Sequence, residues 1–493
     1  MQNVLTSYFL DEGWFMSYIP TIGLEVHVQL NTKSKVFCGC KTSFGDPPNS
    51  NTCPVCLGLP GALPVFNESV LIKAVQAGLA IEANINSQSR FDRKNYFYPD
   101  LPKAYQITQF EIPYCEHGKI EIEKKDGTVK TIGVTRIHIE EDAGKLMHSE
   151  DSSIQESYVD LNRAGTPLCE IVSEPEIDNA DEAVLYLEKL KSIMEYIEIS
   201  DCNMEQGSLR ADANISIRPE GTDKLGTRAE IKNLNSFKAI EAAIEHEIER
   251  QADILDSGGI VVQETRLWNA TLLQTEPMRS KEEAHDYRYF PEPDLVMVHL
   301  TPEKIEQLKN DLPELAHEKK VRFMNEYNLP PYDAGVLTVK RKSSDYFEKV
   351  VKLGAPPKKA SNWIMAEMMA ITGERFCELE DLFSPDYLAE LIGEIESGTI
   401  SGKIAKTVFQ EMVETEKNPK KIIEEKGLVQ IVDTSEIESF VDEAIADNPD
   451  SVQSYLDGKD RAIGFLVGQI MKKSKGKANP QIVNKLLLEK IKK

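Results

Sequence analysis

Residues 21–30 read TIGLEVHVQL, in which apolar and other side chains alternate without a break. Side chains of a β-strand point alternately to its two faces, so this pattern predicts a strand with one buried apolar face. The opposite face then carries Glu25, His27 and Gln29 side by side. A carboxylate and an imidazole two residues apart on one strand face can share a metal ion or a proton.

Three further segments, residues 135–145, 208–218 and 228–233, show the same alternation. The first continues into Glu141 and Asp142 where the predicted strand ends, and a turn at 203–207 that presents Glu205 precedes the second. The polar faces of the three segments carry Arg136, His138 and Glu140, then Arg210, Asp212 and Asn214, and finally Glu230 and Lys232.

Each of these strands, taken alone, is explained by a half-solvated sheet with salt-bridged neighbours. Taken together, their side chains favour another interpretation. Carboxylates and histidine are metal ligands, whereas arginine and lysine bind phosphate groups. The four strands therefore predict a Mg²⁺–nucleotide site on an antiparallel sheet, in a chain of the α+β class.

Several enzyme classes are excluded because their motifs are absent. The sequence contains no G-x-x-x-x-G-K-[ST] loop, no G-x-S-x-G nucleophile elbow and no Ser-Lys amidase signature. It also lacks the HIGH and KMSKS motifs of aminoacyl-tRNA synthetases. We therefore expect neither a P-loop ATPase nor a nucleophilic hydrolase.

Four of the eight cysteines lie within 19 residues, as Cys38 and Cys40 followed after twelve residues by Cys53 and Cys56. Structural zinc is commonly held by two pairs of closely spaced cysteine thiolates, although the C-x-C pair here is more closely spaced than the usual C-x₂-C. Unrelated buried thiols, or a redox pair at Cys53 and Cys56, are the alternatives. We expect a structural zinc site, since all four coordination positions would be filled by protein.

The chain has 493 residues and a formal net charge of −24, with 41% hydrophobic residues. This composition indicates a globular protein of two to four domains and argues against a generally basic nucleic-acid coat protein. No apolar run is long enough to span a membrane, and the first 32 residues contain no Lys or Arg to begin a secretory signal. With few cysteines, the chain is expected to be cytoplasmic.

Changes in composition and in hydrophobic periodicity along the sequence suggest four parts. Residues 1–16 form an extension that precedes the first patterned segment, and residues 17–295 form the catalytic domain with the cysteine loop. Helical apolar spacing then predicts a helical domain over 296–400, and Ser-Gly pairs near residue 400 mark the start of a tail domain over 401–493.

The end of the tail is basic although the whole chain is acidic. Residues 461–493 contain nine basic residues and one acidic residue. Within them, Lys472, Lys473, Lys475 and Lys477 follow an apolar helical stretch. Such a cluster suits a nucleic-acid backbone, and the alternative is favourable charge at a helix C-terminus.

Five motifs make the chain resemble the B-subunit family of bacterial tRNA-dependent amidotransferases. The resemblance covers about residues 17–493, and the tail sequences GFLVGQ (464–469) and KGKANP (475–480) match as well. The motifs are GLEVHVQL (23–30), CPVCLGLPGALP (53–64), HIEEDAGK (138–145), DLNRAGTPL (160–168) and SKEEAHDYRYFPEPD (280–294).

This resemblance implies a catalytic domain similar to glutamine synthetase, with a zinc-binding insertion, followed by a helical domain and a small helical tail. It also implies that ATP and Mg²⁺ serve to phosphorylate the side-chain carboxyl of Glu-tRNA(Gln) or Asp-tRNA(Asn). Ammonia from a partner amidase A subunit, joined by a small C subunit, then gives the amide. A tRNA-binding scaffold without its own catalysis is the alternative, but a scaffold needs no carboxylate–histidine constellation.

By motif position, the resemblance assigns the Mg²⁺ ligands to His27, Glu140 and Glu230, with Glu25 and Glu141 nearby. Arg210 and Lys232 are expected to clamp the phosphates. The remaining candidates for nucleotide or metal-water contacts are Asp212, Glu205 and Asn233.

Overall fold

The computed structural model describes residues 17–149, 156–278, 287–375, 377–431, 434–459, 461–474 and 477–491. The predicted extension over 1–16 lies outside these residues. The chain forms two compact units, Met1–Leu315 and Ala316–Lys493. Within the described part of the chain, no helix is long and apolar enough to cross a membrane.

The first unit contains all the strands and four helices of the described chain. The strands are β1 (Tyr18–Gln29), β2 (Asn84–Ile85), β3 (Gln88–Ser89), β4 (Asp92–Asn95), β5 (Tyr105–Thr108), β6 (Cys115–Glu123), β7 (Val129–Glu141), β8 (Lys145–His148), β9 (Ser157–Asp160), β10 (Pro167–Ser173), β11 (Leu209–Pro219), β12 (Ala229–Leu234), β13 (Glu264–Asn269), β14 (Gln274–Pro277), β15 (Phe290–Pro291) and β16 (Val298–His299). The helices are α1 (Glu68–Ala80), α2 (Ala180–Tyr196), α3 (Phe237–Asp256) and α4 (Pro302–Asn310).

Twelve strands form one sheet, in which the path β14-β13-β12-β11-β1-β10-β7-β5-β4-β15 is extended by β6 and β2 beside β7. The expected alternation in β1 is confirmed, because Ile22, Leu24, Val26 and Val28 are buried on one face. Helices α2 and α3 pack against each other and against β6 and β11, and their apolar side chains join those of the strands in one core. Burial of that face therefore leaves the polar face of β1 turned away from the core.

The sheet is mixed, whereas we expected an antiparallel one. Strands β12 and β13 run parallel, with Ala229 opposite Glu264 and Lys232 opposite Leu267. A parallel pair needs a long crossover, and α3 supplies it between these two strands. The α+β class is confirmed.

The second unit is helical and contains two hydrophobic cores. One core is built from residues between Phe323 and Ile423, and the other from residues between Ile437 and Ile491. The helices are α5 (Ala316–Glu326), α6 (Pro331–Leu337), α7 (Arg341–Lys352), α8 (Pro357–Trp363), α9 (Met369–Arg375), α10 (Pro385–Glu396), α11 (Gly402–Thr415), α12 (Pro419–Glu425), α13 (Thr434–Asp447), α14 (Pro449–Leu456), α15 (Arg461–Lys473) and α16 (Pro480–Ile491), with a π-helical turn at Ile364–Met368 and a 3₁₀ turn at Leu379–Asp381.

Candidate functional site

Strand register gathers the polar side chains of four neighbouring strands on one face of the sheet. Glu170 of β10 lies opposite His27 of β1 and opposite His138 of β7. Arg210 of β11 lies opposite His27 on the other side. Directly opposed residues point to the same face. The result is a row of four polar side chains across the sheet.

Two histidines and two carboxylates form the centre of this face. His138 Nε2 lies 3.2 Å from both Glu140 Oε1 and Glu170 Oε2. His27 Nε2 lies 3.5 Å from Glu170 Oε2 and 3.9 Å from Glu140 Oε2. One ligand atom from each of His27, Glu140 and Glu170 falls within 4.8 Å of the others. These three residues can therefore hold a metal ion.

The protonation of this cluster favours charged carboxylates. Burial and their mutual repulsion act to raise the pKa of Glu140, but His138 lowers it below its usual value. His138 likewise holds the pKa of Glu170 well below its usual value, against the effect of burial. Burial lowers the pKa of His138 itself, yet Glu170 and Glu140 together raise it to about 9. Anionic carboxylates are the form that binds a cation.

Glu140 is fixed in place by neutral donors from β5. Gln106 Nε2 donates to Glu140 Oε2 at 3.0 Å, and Thr108 Oγ1 donates to Glu140 Oε1 at 2.9 Å. Such contacts hold a metal ligand in one orientation. Sequence reasoning missed both donors, because nothing in the short strand β5 distinguishes them.

Glu170 was also missed, and it takes the place beside His27 and Glu140 that we expected Glu230 to fill. The structure instead joins Glu230 to Lys232, whose Nζ lies 2.7 Å from Glu230 Oε1 and 2.7 Å from Asp212 Oδ2. The signal for Glu170 was present, since it is the one carboxylate in the otherwise apolar stretch PLCEIV of residues 167–172.

The remaining expected residues of this face lie around the central cluster. Glu25 accepts a hydrogen bond from Asn214 Nδ2 at 2.9 Å. Burial, then repulsion from Glu170 and Glu230, raises the pKa of Glu25. Arg210 Nη2 lies 3.0 Å from Asp142 Oδ2. The cations that we expected to bind phosphates are thus paired with carboxylates of the site.

Glu141 points to the other side of β7, because successive strand residues alternate between faces. It pairs with Lys103 and accepts a hydrogen bond from the Ile107 amide at 2.9 Å. With Lys103 and Phe37 it lines a cavity of about 110 Å³ that extends to Cys56. Glu141 is therefore near the cysteine loop and apart from the His27–Glu140–Glu170 cluster.

Two further candidates do not contact the central cluster. Glu205 is exposed in the turn before β11, where its backbone amide donates to Asn203 Oδ1 at 2.9 Å. Asn233 adopts a left-handed conformation with φ of 67°, and its side chain donates to the Trp268 carbonyl at 3.1 Å. Asn233 therefore stabilises the end of β12 in this structure.

Lys94 is a cation that sequence reasoning did not single out. Its Nζ lies 5.1 Å from the ring centre of Tyr287 and 5.9 Å from that of Tyr96. Burial lowers the pKa of Lys94, but the negative charges of Glu140 and Glu170 raise it above its usual value. No carboxylate among the described residues lies within 4.0 Å of its ammonium group, so two tyrosine rings hold it beside the acidic cluster.

The four cysteines of residues 38–56 come together as predicted. Their Sγ atoms all lie within 4.8 Å of one another, and none forms a disulfide. The Cys53 amide donates to Cys56 Sγ at 3.1 Å. Hydrogen bonding from Cys38, together with the Cys53 amide and nearby Lys35, lowers the pKa of Cys56 to about 4 despite its burial. The cluster can therefore hold a metal ion.

The tail lysines differ in their surroundings. Lys473 pairs with Glu443 at 2.9 Å and with Asp447 at 2.6 Å, both on α13. Lys472 is exposed, and a Cβ atom built at Gly427 would lie 4.0 Å from Lys477 Nζ. Lys475 lies outside the described residues.

The chain has an α+β fold, and its candidate metal site lies on one face of a large mixed sheet. Residues 20–306 match the family model described as the GatB/GatE catalytic domain, and residues 345–491 match the model of the GatB domain. The chain belongs to this family, as the sequence motifs indicated. It is therefore one component of a ligase of the amidotransferase class.

Relatives of nearly the same length support this assignment. The chain is 55% identical over 479 residues to the B subunit of the aspartyl/glutamyl-tRNA(Asn/Gln) amidotransferase of Thermoanaerobacter sp. (strain X514), covering 97% of this chain and 100% of the relative. It is 56% identical, with the same coverage, to the protein of that name from Caldanaerobacter subterraneus subsp. tengcongensis. The protein of that name from Geotalea daltonii is 55% identical over 478 residues, again 97% of this chain and 100% of the relative.

Proposed function

We propose that this chain activates and amidates Glu-tRNA(Gln), Asp-tRNA(Asn) or both, at the expense of ATP. A side-chain carboxylate is a poor electrophile because its leaving group would be an oxide. Transfer of the γ-phosphoryl group of ATP to that carboxylate gives an acyl phosphate, and ammonia then displaces inorganic phosphate to form the amide. The observation that carries this proposal is the cluster of His27, Glu140 and Glu170 on the polar sheet face.

The two anionic carboxylates of this cluster fit a magnesium ion, which prefers oxygen ligands, and neutral His27 would complete a set that converges from three strands. Magnesium, when bound, supplies charge neutralisation at the phosphate oxygens. His27, Glu140 and Glu170 would hold it, and Gln106 and Thr108 would keep Glu140 oriented. His138 would keep both carboxylates charged through its two 3.2 Å contacts.

Three cations border the cluster and would bind the negative charge of the transferred phosphoryl group. Arg210 is paired with Asp142, and Lys232 is paired with Asp212 and Glu230, so a phosphate group would have to compete with these carboxylates for both cations. Lys94 has no carboxylate within 4.0 Å among the described residues, and its ammonium group lies beside the rings of Tyr96 and Tyr287. Preorganised cations of this kind stabilise charge that develops in the transition state.

For the cysteine loop we propose a structural zinc ion held by all four thiolates. Four sulfur ligands from two cysteine pairs leave no open coordination position, which is the arrangement of a structural site. The Cys53 amide that donates to Cys56 Sγ is a second feature that fits a bound thiolate. The loop would then be the zinc-binding insertion of a glutamine-synthetase-like catalytic domain over residues 17–295.

The partners proposed here are those that the family resemblance implies. A separate amidase A subunit would supply ammonia and a small C subunit would complete the complex, which agrees with the lack of a glutamine-hydrolysis motif in this sequence. The helical domain over 296–400 would precede a tail domain over 401–493, and the tail would bind tRNA through Lys472, Lys473, Lys475 and Lys477. The cytoplasmic location stays a prediction from sequence.

The test is ATP cleavage by the complete complex, purified with its partner subunits, with and without each misacylated tRNA. We expect Mg²⁺-dependent ATP cleavage that Glu-tRNA(Gln), Asp-tRNA(Asn) or both stimulate. Glu140→Gln should abolish this stimulation while tRNA affinity changes by no more than a few-fold. Glu121→Gln, on an exposed position of β6, is the matched control and should behave as wild type.

Two results would contradict the proposal. Tight tRNA binding without stimulated ATP cleavage would favour a scaffold whose catalysis belongs to a partner. Wild-type turnover in Glu140→Gln would remove this residue from the reaction centre.

A further inference from the structure

Lys35 is a lysine with no solvent-exposed surface, at the centre of the cysteine loop. Its Nζ donates to the carbonyl of Asn51 at 2.7 Å and to the carbonyl of Leu161 at 3.4 Å. It also donates to Cys56 Sγ at 3.6 Å. The ammonium group therefore bridges a metal-binding thiol, the loop that carries it and the segment before β10.

A fully buried ammonium ion is costly unless an anion accompanies it. Among the described residues, no carboxylate lies within 4.0 Å of Lys35 Nζ. Two backbone carbonyls satisfy its hydrogen bonds but carry no net charge. Of the described atoms that contact Lys35 Nζ, only the Cys56 sulfur can be anionic. Among these contacts, the cysteine cluster is therefore the one source of a negative charge that can neutralise the ammonium group.

We propose that Lys35 is the positioning residue and internal counter-charge of the four-cysteine zinc site. This inference rests on the zinc site proposed above. Four thiolates around one zinc ion leave a net charge of −2, and a buried ammonium in contact with one sulfur reduces that excess. Outer contacts of this kind also fix the direction of the ligand and raise metal affinity.

The backbone around Lys35 is shaped for this contact. The Lys35 amide donates to the Cys40 carbonyl at 3.0 Å, and the Val36 amide donates to the Gly165 carbonyl at 2.9 Å. Gly165 has a φ of +84°, and a Cβ atom there would lie 3.4 Å from Lys35 Cδ and 3.7 Å from Cys56 Cβ. Lys35 thus contacts both cysteine pairs, through Cys40 and Cys56, and residues 161–165.

The experiment compares zinc affinity of the complete complex in Lys35→Met, Lys35→Arg and Lys33→Met, by competition with a chromophoric chelator. Lys33 is exposed two residues away and provides the matched control. We expect Lys35→Met to weaken zinc binding about 10- to 100-fold. Lys33→Met should stay within about threefold of wild type. Lys35→Arg keeps the charge but places a larger group in a fully buried position, so it should lose less zinc affinity than Lys35→Met without matching wild type. Cobalt substitution should shift the sulfur-to-metal absorption bands in Lys35→Met alone.

The outcomes separate this inference from the zinc site itself. A wild-type complex that binds no zinc would overturn the proposed site. Wild-type zinc affinity in Lys35→Met would overturn the role of the lysine charge, as would wild-type zinc affinity in Lys35→Gln. If Lys35→Met does not fold, Lys35→Gln replaces it, because glutamine can still donate to the Asn51 carbonyl but carries no charge.

Discussion

Glu170 Oε2 lies 3.2 Å from His138 Nε2, and this contact places a carboxylate of β10 within the cluster formed by β1 and β7. Glu170 also lies 3.5 Å from His27, so it bridges two histidines on neighbouring strands. Because both histidines lower its pKa, Glu170 is ready to bind a cation as a carboxylate. The central strand β10 therefore completes the candidate metal site.

We predict that Glu170→Gln weakens divalent-metal binding by about 10- to 100-fold. Glutamine keeps the size of the side chain but removes the negative charge that a cation requires. Mn²⁺ binding followed by electron paramagnetic resonance measures this without relying on turnover, and ATP cleavage should fall in parallel. Unchanged Mn²⁺ affinity in Glu170→Gln would exclude Glu170 as a ligand, with Glu121→Gln as the exposed control.

Part of this site could be predicted from local pattern and part could not. Alternation alone placed Glu25 and His27 on one face of β1, and close spacing alone predicted that Cys38 and Cys56 would meet. The Glu170–His27 contact depends on the register between strands that are about 140 residues apart in the chain, which no local pattern fixes.

The same limit explains two differences between expectation and structure. The motif positions group Glu230 with His27 as a metal ligand, but in the structure Lys232 Nζ lies 2.7 Å from both Glu230 Oε1 and Asp212 Oδ2. The parallel pairing of β12 and β13 is likewise decided by how α3 crosses the sheet. Tertiary packing decides both, and the sequence pattern of each strand is compatible with either outcome.

We predict that Lys94→Met lowers kcat for amidation about 10²- to 10³-fold, the usual effect of removing one preorganised donor at a developing charge. Methionine retains the length of the side chain and its contact with the Tyr96 and Tyr287 rings. Affinity for tRNA should change by less than threefold. Lys119→Met, at an exposed position of β6 beside Glu82, serves as the control. A Lys94→Met enzyme with wild-type kcat would show that this cation does not act on the reacting groups.

Glu247 of α3 provides a prediction about stability and pH. It is fully buried, and its carboxylate accepts hydrogen bonds from Arg250 at 2.6 and 2.9 Å and from Gln251 at 2.9 Å. Burial raises its pKa, but these contacts lower it below the usual value. A carboxyl group with a lowered folded-state pKa stabilises the protein above its unfolded pKa, and that stability is lost as pH falls through the folded-state value.

Glu247→Gln should therefore destabilise the protein by about 2 kcal/mol at pH 7, because Arg250 and the buried Arg266 lose a carboxylate that both contact, while Glu264 remains beside them. The difference from wild type should begin to shrink as the pH falls below about 4.3, the ordinary pKa of an unfolded glutamate, and should continue to shrink until the folded-state carboxyl group is protonated too. Urea unfolding at pH 7 and at acidic pH measures both values. Glu249→Gln, exposed on the same helix, should have little effect at either pH. A difference that is constant with pH would show that the charge of Glu247 is not what stabilises the fold.

The two adjacent lysines at the end of α15 allow the tail to be tested for tRNA contact. Lys472 is exposed, whereas Lys473 already binds Glu443 and Asp447. A phosphate group could form an ion pair with Lys472 directly, but it would have to compete with two carboxylates for Lys473. Each phosphate contact of a basic side chain releases counterions, so removing one lowers the slope of log affinity against log salt by about one.

Lys472→Ala should therefore weaken tRNA binding and reduce that slope by about one, and Lys473→Ala should change both much less. The measurement is tRNA affinity of the whole complex at several salt concentrations, with thermal unfolding to show that both variants fold. Loss of the Lys473 ion pairs would lower the unfolding temperature only slightly and leave the salt slope unaltered, because exposed pairs contribute little to stability and nothing to counterion release. Equal salt slopes in Lys472→Ala and wild type would show that tRNA does not contact this end of α15.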